Sequence, residues 1–313
     1  MANPTELGRS MATEAMDRAI DLDAEARAVS DEVDGLFRRL LALPGDGRDR
    51  LYSAMAHAAI GGGKRLRPLL TVATARLFNI DRDRAVRAGA AIEAIHVYSL
   101  IHDDLPCMDD DDLRRGKPTV HKAYDEATAV LAGDSLHALA FEILVDAAVH
   151  ENPAVRAELV LDLSRASGPD GMAGGQMLDL AAEGQPLDLP AITRMQQLKT
   201  GALIEHAVEA ACIMAQLDAH ARTPLRGYAR NVGLAFQIAD DLIDHSGAEE
   251  AAGKRVGKDA AAGKATFVSL LGEGRARAQA TMLVEQAIEH LHDRGAEADL
   301  LRAIARFAVE RDH

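Results

Sequence analysis

The sequence predicts an all-α protein built as one large domain, residues 1–313, and three observations carry that prediction. Ala, Leu, Glu, Arg and Asp recur along nearly the whole chain, most of them good helix formers. β-Branched and aromatic runs are scarce, with aromatic residues at 3% and no tryptophan. No repeat, linker or low-complexity segment divides the 313 residues. At 48% hydrophobic the core is ample but aliphatic, and alanine-rich stretches such as Ala85 to Ala94 and Ala202 to Ala215 allow helices to pack closely.

Charge and cysteine usage narrow the function. With 35 Lys and Arg against 49 Asp and Glu, the formal charge of −14 disfavours nucleic acid or an anionic membrane surface as a partner. Cys107 and Cys212 are too few and too scattered for a disulfide framework or a zinc site, and point to a reducing compartment. Met1 to Val33 is polar and acidic, without the apolar core of a signal peptide, and no uninterrupted run reads as long enough to span a bilayer. A cytoplasmic location is the expectation.

In chain order, residues 1–10 read as a loose tail and Glu14 to Leu43 as a helical hairpin closing at Pro44-Gly45. Tyr52 to Ile60 is an amphipathic helix running into Gly61-Gly62-Gly63-Lys64-Arg65-Leu66-Arg67-Pro68. A glycine triplet is by default a flexible connection. Followed by three cations, it suggests backbone N–H groups and positive charge arranged for a phosphate, although it is not a P-loop. Ile92, Ile95, Tyr98, Leu100 and Ile101 then predict a buried helix ending at Asp103 and Asp104, with a bend forced by Pro106.

Thr128 to Val145 is a strongly apolar helix whose Asp134 and His137 read as satisfied interior polar residues. In Ser167-Gly-Pro-Asp-Gly171-Met-Ala-Gly174-Gly175-Gln176-Met-Leu-Asp179 small residues open a helix with Gln176 and Asp179 on one face. Gly201 in Lys199-Thr200-Gly201 interrupts a helical pattern, either as a plain kink or to free a backbone carbonyl toward a ligand. The run Gly253 to Thr266, with Lys254, Arg255, Lys258, Asp259 and Lys264, reads as a basic loop, solvated or closing over anions. Residues 275–313 return to helix.

Two acidic clusters are left to explain. Asp103 to Asp112 holds six carboxylates in ten residues, followed by Arg114 and Arg115. Gln237, Asp240 or Asp241, and Asp244 share one stripe of an otherwise apolar helix. Carboxylates grouped at a buried element need cations, and all-oxygen donors without paired cysteine or histidine favour a hard ion, Mg²⁺ before Ca²⁺ or Mn²⁺. A diphosphate beside bare carboxylates would be repelled by about 4 kcal/mol per charge pair at 4 Å and an effective dielectric of 20, and bridging cations reverse that sign. Metal ions, Lys and Arg can then stabilise a departing diphosphate, so that a carbon–oxygen bond breaks without an enzyme nucleophile.

These motifs resemble the trans-isoprenyl diphosphate synthases, the polyprenyl synthetase family, and most of all its short-chain bacterial farnesyl diphosphate synthases. Both aspartate motifs, Gly-Lys-Arg-Leu-Arg-Pro, Gly-Gly-Gln-Met-Leu-Asp-Leu, Lys-Thr-Gly and the lysine loop occur in the family's order, from about residue 30 to the C-terminus. The resemblance implies a helical bundle around a central cavity, a homodimer, and three Mg²⁺ ions, with Mn²⁺ as a substitute. By it, Asp103 and Asp109 bind two metals with Asp104 in support, and Asp240 and Asp244 hold the third. Arg114, Lys199, Lys254 and Lys264 would take the allylic diphosphate, and Lys64, Arg67, His96 and Arg115 isopentenyl diphosphate. The Lys199 carbonyl, Thr200 and Gln237 would face the allylic cation. Gln176 and Asp179 would line the cavity, and Lys258 and Asp259 would belong to the closing loop. Without the resemblance His96 reads as a packed core histidine. Arg65 and Arg255 read as surface charges and take no role.

Tyr98 and Ser99 lie roughly 6 to 7.5 Å up the helix from Asp103, about one isoprene unit below the metals. Tyr98 there resembles the floor of the farnesyl-producing members, so a C15 product is expected, with C20 or C10 as rivals. A class I terpene cyclase needs an aromatic cavity that 3% aromatic content does not supply. A non-catalytic partner subunit would lack metal ligands, and both motifs are intact.

Overall fold

The computed structural model describes residues 21–182, 184, 185, 187–246 and 266–310, and the strand content among them is one two-residue hairpin. Helix α1 (Leu22–Leu40) begins at Asp21, whose carboxylate accepts from the Ala24 N–H. It runs unbroken, so the hairpin expected between Glu14 and Leu43 is a single helix over the described residues. Its buried residues Val29, Val33, Leu36 and Phe37 keep helical spacing, and no Gly-Pro break intervenes before Pro44. Helices α2 (Asp49–Ala59) and α3 (Leu66–Arg76) flank the glycine triplet.

Helix α4 (Arg82–Asp103), capped by Asp81, is the centre of the bundle. It buries Ala85, Ala88, Ala90, Ala91, Ile92, Ala94, Ile95 and Ile101, small residues for the most part, and therefore accepts neighbours on several faces. After it come β1 (Leu113–Arg114), β2 (Lys117–Pro118), the single turn α5 (Val120–Ala123) and α6 (Glu126–Val145). The chain continues through α7 (Pro153–Ser167), α8 (Met172–Ala181), α9 (Leu189–Gln196), a π-helical turn (Gln197–Gly201), α10 (Ala202–Met214) and α11 (Ala219–Ser246). The last elements are α12 (Phe267–Leu271), α13 (Glu273–Glu289), a 3₁₀ turn (Ala296–Ala298) and α14 (Asp299–Glu310). Many starts are written locally: Asp125, Asn152 with Pro153, Asp188 and Thr266 each accept a backbone N–H of the first turn. α1, α3, α6 and α10 pack on α4, and the buried Tyr228 of α11 donates to the Leu301 carbonyl of α14 at 2.7 Å.

Helix α6 bears on two expectations. By length and composition its 20 residues could cross a bilayer, but 44% of that apolar stretch is buried inside the bundle, as in a core helix. Asp134 and His137 are exposed rather than interior. One face of α6 packs on α4, while Val130, Leu131 and Val145 point outward, as does Leu161 of α7.

Candidate active site

Helix α4 stays buried through Ile101 and delivers Asp103 and Asp104 at its carbonyl end, where the helix dipole already places partial negative charge. Burial pushes the Asp103 carboxyl up to about 6; the Lys199 ammonium opposes that shift and Asp109 reinforces it. The chain turns at Pro106 and folds back so that the N–H groups of Asp109, Asp110 and Asp111 donate to the carbonyls of Asp103, Leu105 and Asp104, at 2.8, 3.2 and 3.2 Å. These bonds seat Asp109 beside Asp103. Asp104 is buried and accepts from Arg114, at 2.8 Å from Nε and 2.5 Å from Nη2, and Arg114 also reaches Asp111 at 3.3 Å.

Arg115 and Gly116 form the two-residue turn between β1 and β2, with φ of 54° and 74°, the left-handed pair a tight hairpin requires. The turn sends Arg115 back over the glycine triplet. A Cβ on Gly63 would lie 2.5 Å from the Arg115 Cζ and push that side chain away, and the φ of 82° at Gly63 itself requires glycine. The triplet therefore makes room for a cation, and one of its N–H groups is already used: Gly61 donates to Asp34 at 2.8 Å. His96 is held well below the ordinary histidine range by burial and then by Arg67, Arg115, Arg114 and Arg65, which keeps its imidazole neutral. Burial lowers Arg67 too, opposed by Glu93 and Asp240 and reinforced by Arg115. Lys64 is exposed, its Nζ 5.9 Å from the ring centre of Phe307 in α14.

The interruption at Lys199-Thr200-Gly201 is the π-helical turn, a widened turn that loosens the i to i−4 ladder. Gly175 of α8 sits against it, with room for no side chain because a Cβ would fall 2.1 Å from the Lys199 nitrogen. Lys199 Nζ is 2.5 Å from Asp179 Oδ2. The Thr200 hydroxyl donates to Gln237 Oε1 at 3.1 Å, Gln237 Nε2 donates to Asp241 Oδ1 at 2.9 Å, and Asp241 Oδ2 takes the Phe267 N–H at 2.9 Å. Asp241 is buried in this chain of bonds, whereas Asp240 and Asp244 are partly exposed. Asp103 and Lys199 act on each other electrostatically, as do Arg67 and Asp240, and the Thr200–Gln237 bond ties the π-helical turn to the second acidic helix.

Tyr98 packs edge-to-face on His102 and His137, centroids 5.8 and 4.9 Å away, and Phe141 stacks beyond His137 at 5.2 Å. The Ser99 hydroxyl is spent on the His96 carbonyl at 2.8 Å. Lys254, Lys258, Asp259 and Lys264 lie outside the described residues. Among the described residues no three His, Cys, Asp or Glu side chains converge to hold a metal ion by themselves. That suits Mg²⁺, which is usually bound through one or two carboxylates and completes its shell with water and phosphate oxygens. A partly buried Asp103, its carboxyl raised by burial and by Asp109, fits such a cation.

Sequence reasoning missed Arg65, which is buried and bonded to Asp34 and Glu93, 31 and 28 residues away. The available signal was a charged residue on each of two apolar faces: Asp34 next to Val33 in α1, and Glu93 within the Ala90–Ala94 run of α4.

An all-α bundle carrying two acidic clusters, a set of partly buried arginines and a loosened helical turn is the class of protein that fold and site define. The chain belongs to the polyprenyl synthetase family, which matches residues 48–306. It is 40% identical over 293 residues to a farnesyl diphosphate synthase of Geobacillus stearothermophilus, covering 93% of this chain and 97% of that one. Its fold superposes with a TM-score of 0.86 on an apo FPP/GFPP synthase from Zymomonas mobilis, 58% identical, over 93% of this chain and 99% of the other. A geranyltransferase from Helicobacter pylori, solved with magnesium and isoprenyl diphosphate, matches at a TM-score of 0.80 and 31% identity, over 93% and 97% of the two chains.

Proposed function

We propose that the protein is a prenyltransferase that condenses isopentenyl diphosphate with dimethylallyl and then geranyl diphosphate, yielding farnesyl diphosphate and inorganic diphosphate. One observation supports the reading: the Thr200–Gln237 bond joins the π-helical turn to the second acidic helix, while Asp103 and Lys199, like Arg67 and Asp240, act on each other electrostatically. Mg²⁺ held by Asp103 and Asp109 on one wall and by Asp240 and Asp244 on the other, three ions in all with Mn²⁺ as a substitute, would supply Lewis-acid stabilisation of the leaving diphosphate. Arg114 and Lys199, with Lys254 and Lys264, hold the allylic diphosphate; Asp104 aims Arg114 and Asp179 aims Lys199. Lys64, Arg67, Arg115 and the neutral His96 hold isopentenyl diphosphate. As the allylic carbon–oxygen bond breaks, the Thr200 and Gln237 oxygens and the Lys199 carbonyl face the cation. The isopentenyl double bond attacks it to form the new carbon–carbon bond, and the proton then lost passes to the departed diphosphate.

Tyr98, braced by His102 and His137, closes the apolar end of the space and sets the product at C15, with Ser99 beside it. The outward apolar residues of α6 and α7 suit a second copy of the chain, and the protein works as a cytoplasmic homodimer; sedimentation at micromolar concentration would show monomers if this is wrong. The defining assay is incubation with isopentenyl and dimethylallyl diphosphate, with Mg²⁺ or with EDTA, and analysis of product length. Metal-dependent C15 supports the reading, a longer product keeps the mechanism and moves the floor, and no elongation by folded protein favours a non-catalytic partner subunit.

A further inference from the structure

The side chain of Arg65 is wholly buried, and its guanidinium joins three helices. Nη2 donates to Asp34 Oδ1 of α1 at 2.6 Å and to the Ala59 carbonyl at the end of α2 at 2.5 Å, and Nη1 donates to Glu93 Oε1 of α4 at 2.9 Å. The second oxygen of Asp34 takes the Gly61 N–H at 2.8 Å. One carboxylate thus ties both ends of the segment from Gly61 to Arg65, with Gly62, Gly63 and Lys64 between them. Within it Gly61, Gly63 and Arg65 have φ of 74°, 82° and 46°, every second residue left-handed, an alternation of the kind that gathers N–H groups into an anion-binding hollow. A non-glycine residue is strained in that conformation, and the buried bonds of Arg65 hold it there.

Glu93 carries the network onward. Its Oε2 is buried without a hydrogen-bond partner, and its charge acts on both Arg67 and Arg115, the two arginines that flank the triplet. None of these anchors is the partner of Lys199, which is Asp179. Stability alone does not account for the arrangement, because buried ion pairs are often no better than an apolar replacement of the same volume. Geometry does: a planar fork satisfies Asp34, Glu93 and the Ala59 carbonyl together, which a single ammonium cannot do from one position.

We propose that Arg65, anchored by Asp34 and Glu93, is a positioning residue that shapes the isopentenyl diphosphate cradle, an inference that rests on the reading of Lys64, Arg67 and Arg115 given above. It acts on one of the two substrates. Arg65→Lys is expected to raise the dissociation constant for isopentenyl diphosphate, titrated calorimetrically without an allylic partner, by about tenfold or more, the loss usual when a partner that orients ligand-binding groups is removed. The KM for geranyl diphosphate should stay within about twofold, as for loss of one ligand's binding alone. Asp34→Asn, which leaves Arg65 and its bond to Glu93 in place, should show the same selective loss and serves if Arg65→Lys does not fold. Equal weakening of both substrates, or unchanged isopentenyl diphosphate affinity in a folded variant, overturns the positioning role while the wild type still elongates. A wild type that neither binds isopentenyl diphosphate nor elongates overturns the reading beneath it.

Discussion

At the end of α4 the carboxylates are placed by a loop: three returning N–H groups bond the carbonyls of Asp103, Asp104 and Leu105 and set Asp109 against Asp103. In α11 helical phase does the same work, because residues 237, 240, 241 and 244 fall within a narrow arc of one rigid cylinder. Built differently, the two clusters divide their labour in the same way. In each Asp-Asp pair one member is buried and braces its neighbours, Asp104 holding Arg114 and Asp241 holding Gln237 and the Phe267 N–H. The other, Asp103 or Asp240, is partly exposed. In each pair one aspartate is the brace, and under the proposed function the other is the metal ligand.

The largest expected effect comes from the ligand side. Asp103→Asn should lower kcat by about 10²- to 10³-fold, the usual loss when a group that stabilises developing charge is removed. It should also make the metal-free protein more stable, by roughly 1–3 kcal/mol, because it removes a buried charge whose protonation is favoured in the folded state. Denaturant melts without Mg²⁺ read this directly, and a variant that loses both activity and stability would recast Asp103 as a brace. Asp241→Ala should do the opposite to stability. It strands the buried Phe267 N–H and costs about 1–3 kcal/mol, with a smaller loss of turnover through the released Gln237. A stable Asp241→Ala that loses its metal response would make the two members of the pair equivalent after all.

Tyr98→Ala tests the wall between the clusters and the apolar end. Removing a ring wedged between α4 and α6 should lengthen the product while leaving Mg²⁺ dependence intact, and an unchanged C15 product, read by chain-length analysis, removes Tyr98 as the stop.

What could be read in the sequence follows the range of the interaction. The aspartates and the Lys-Thr-Gly interruption announce themselves within a few residues, and the all-α fold follows from composition and the scarcity of β-branched and aromatic runs. Arg65 could not be read this way: whether an arginine after a glycine triplet faces water or the interior is decided by Asp34 and Glu93, on helices that meet only in the fold. Asp134 and His137 failed for a related reason, since a helix apolar on most faces does not say which face its neighbours will cover. At Lys199 the glycine suggested a kink, and the observed turn is π-helical. Its widening accompanies the tight fit of Gly175 against the Lys199 backbone, a contact between elements 24 residues apart.

The smallest effect is the sharpest test of the brace in α11. Thr200→Val keeps the shape of the side chain and removes the hydroxyl that donates to Gln237, for an expected loss of about 1 kcal/mol in transition-state stabilisation, several-fold in kcat. If Thr200, Gln237 and Asp241 act as one chain of bonds, Thr200→Val should cost little more in an Asp241→Ala background, because Gln237 is already released. The double-mutant cycle on kcat should then show a coupling of roughly 0.5–3 kcal/mol. Paired with Asp103→Asn, which shares no partner with it, the same Thr200→Val should be additive within about 0.5 kcal/mol. Additivity in both cycles would mean that Asp241 supports α11 without orienting Gln237, and the likeness between the two aspartate pairs would end at burial.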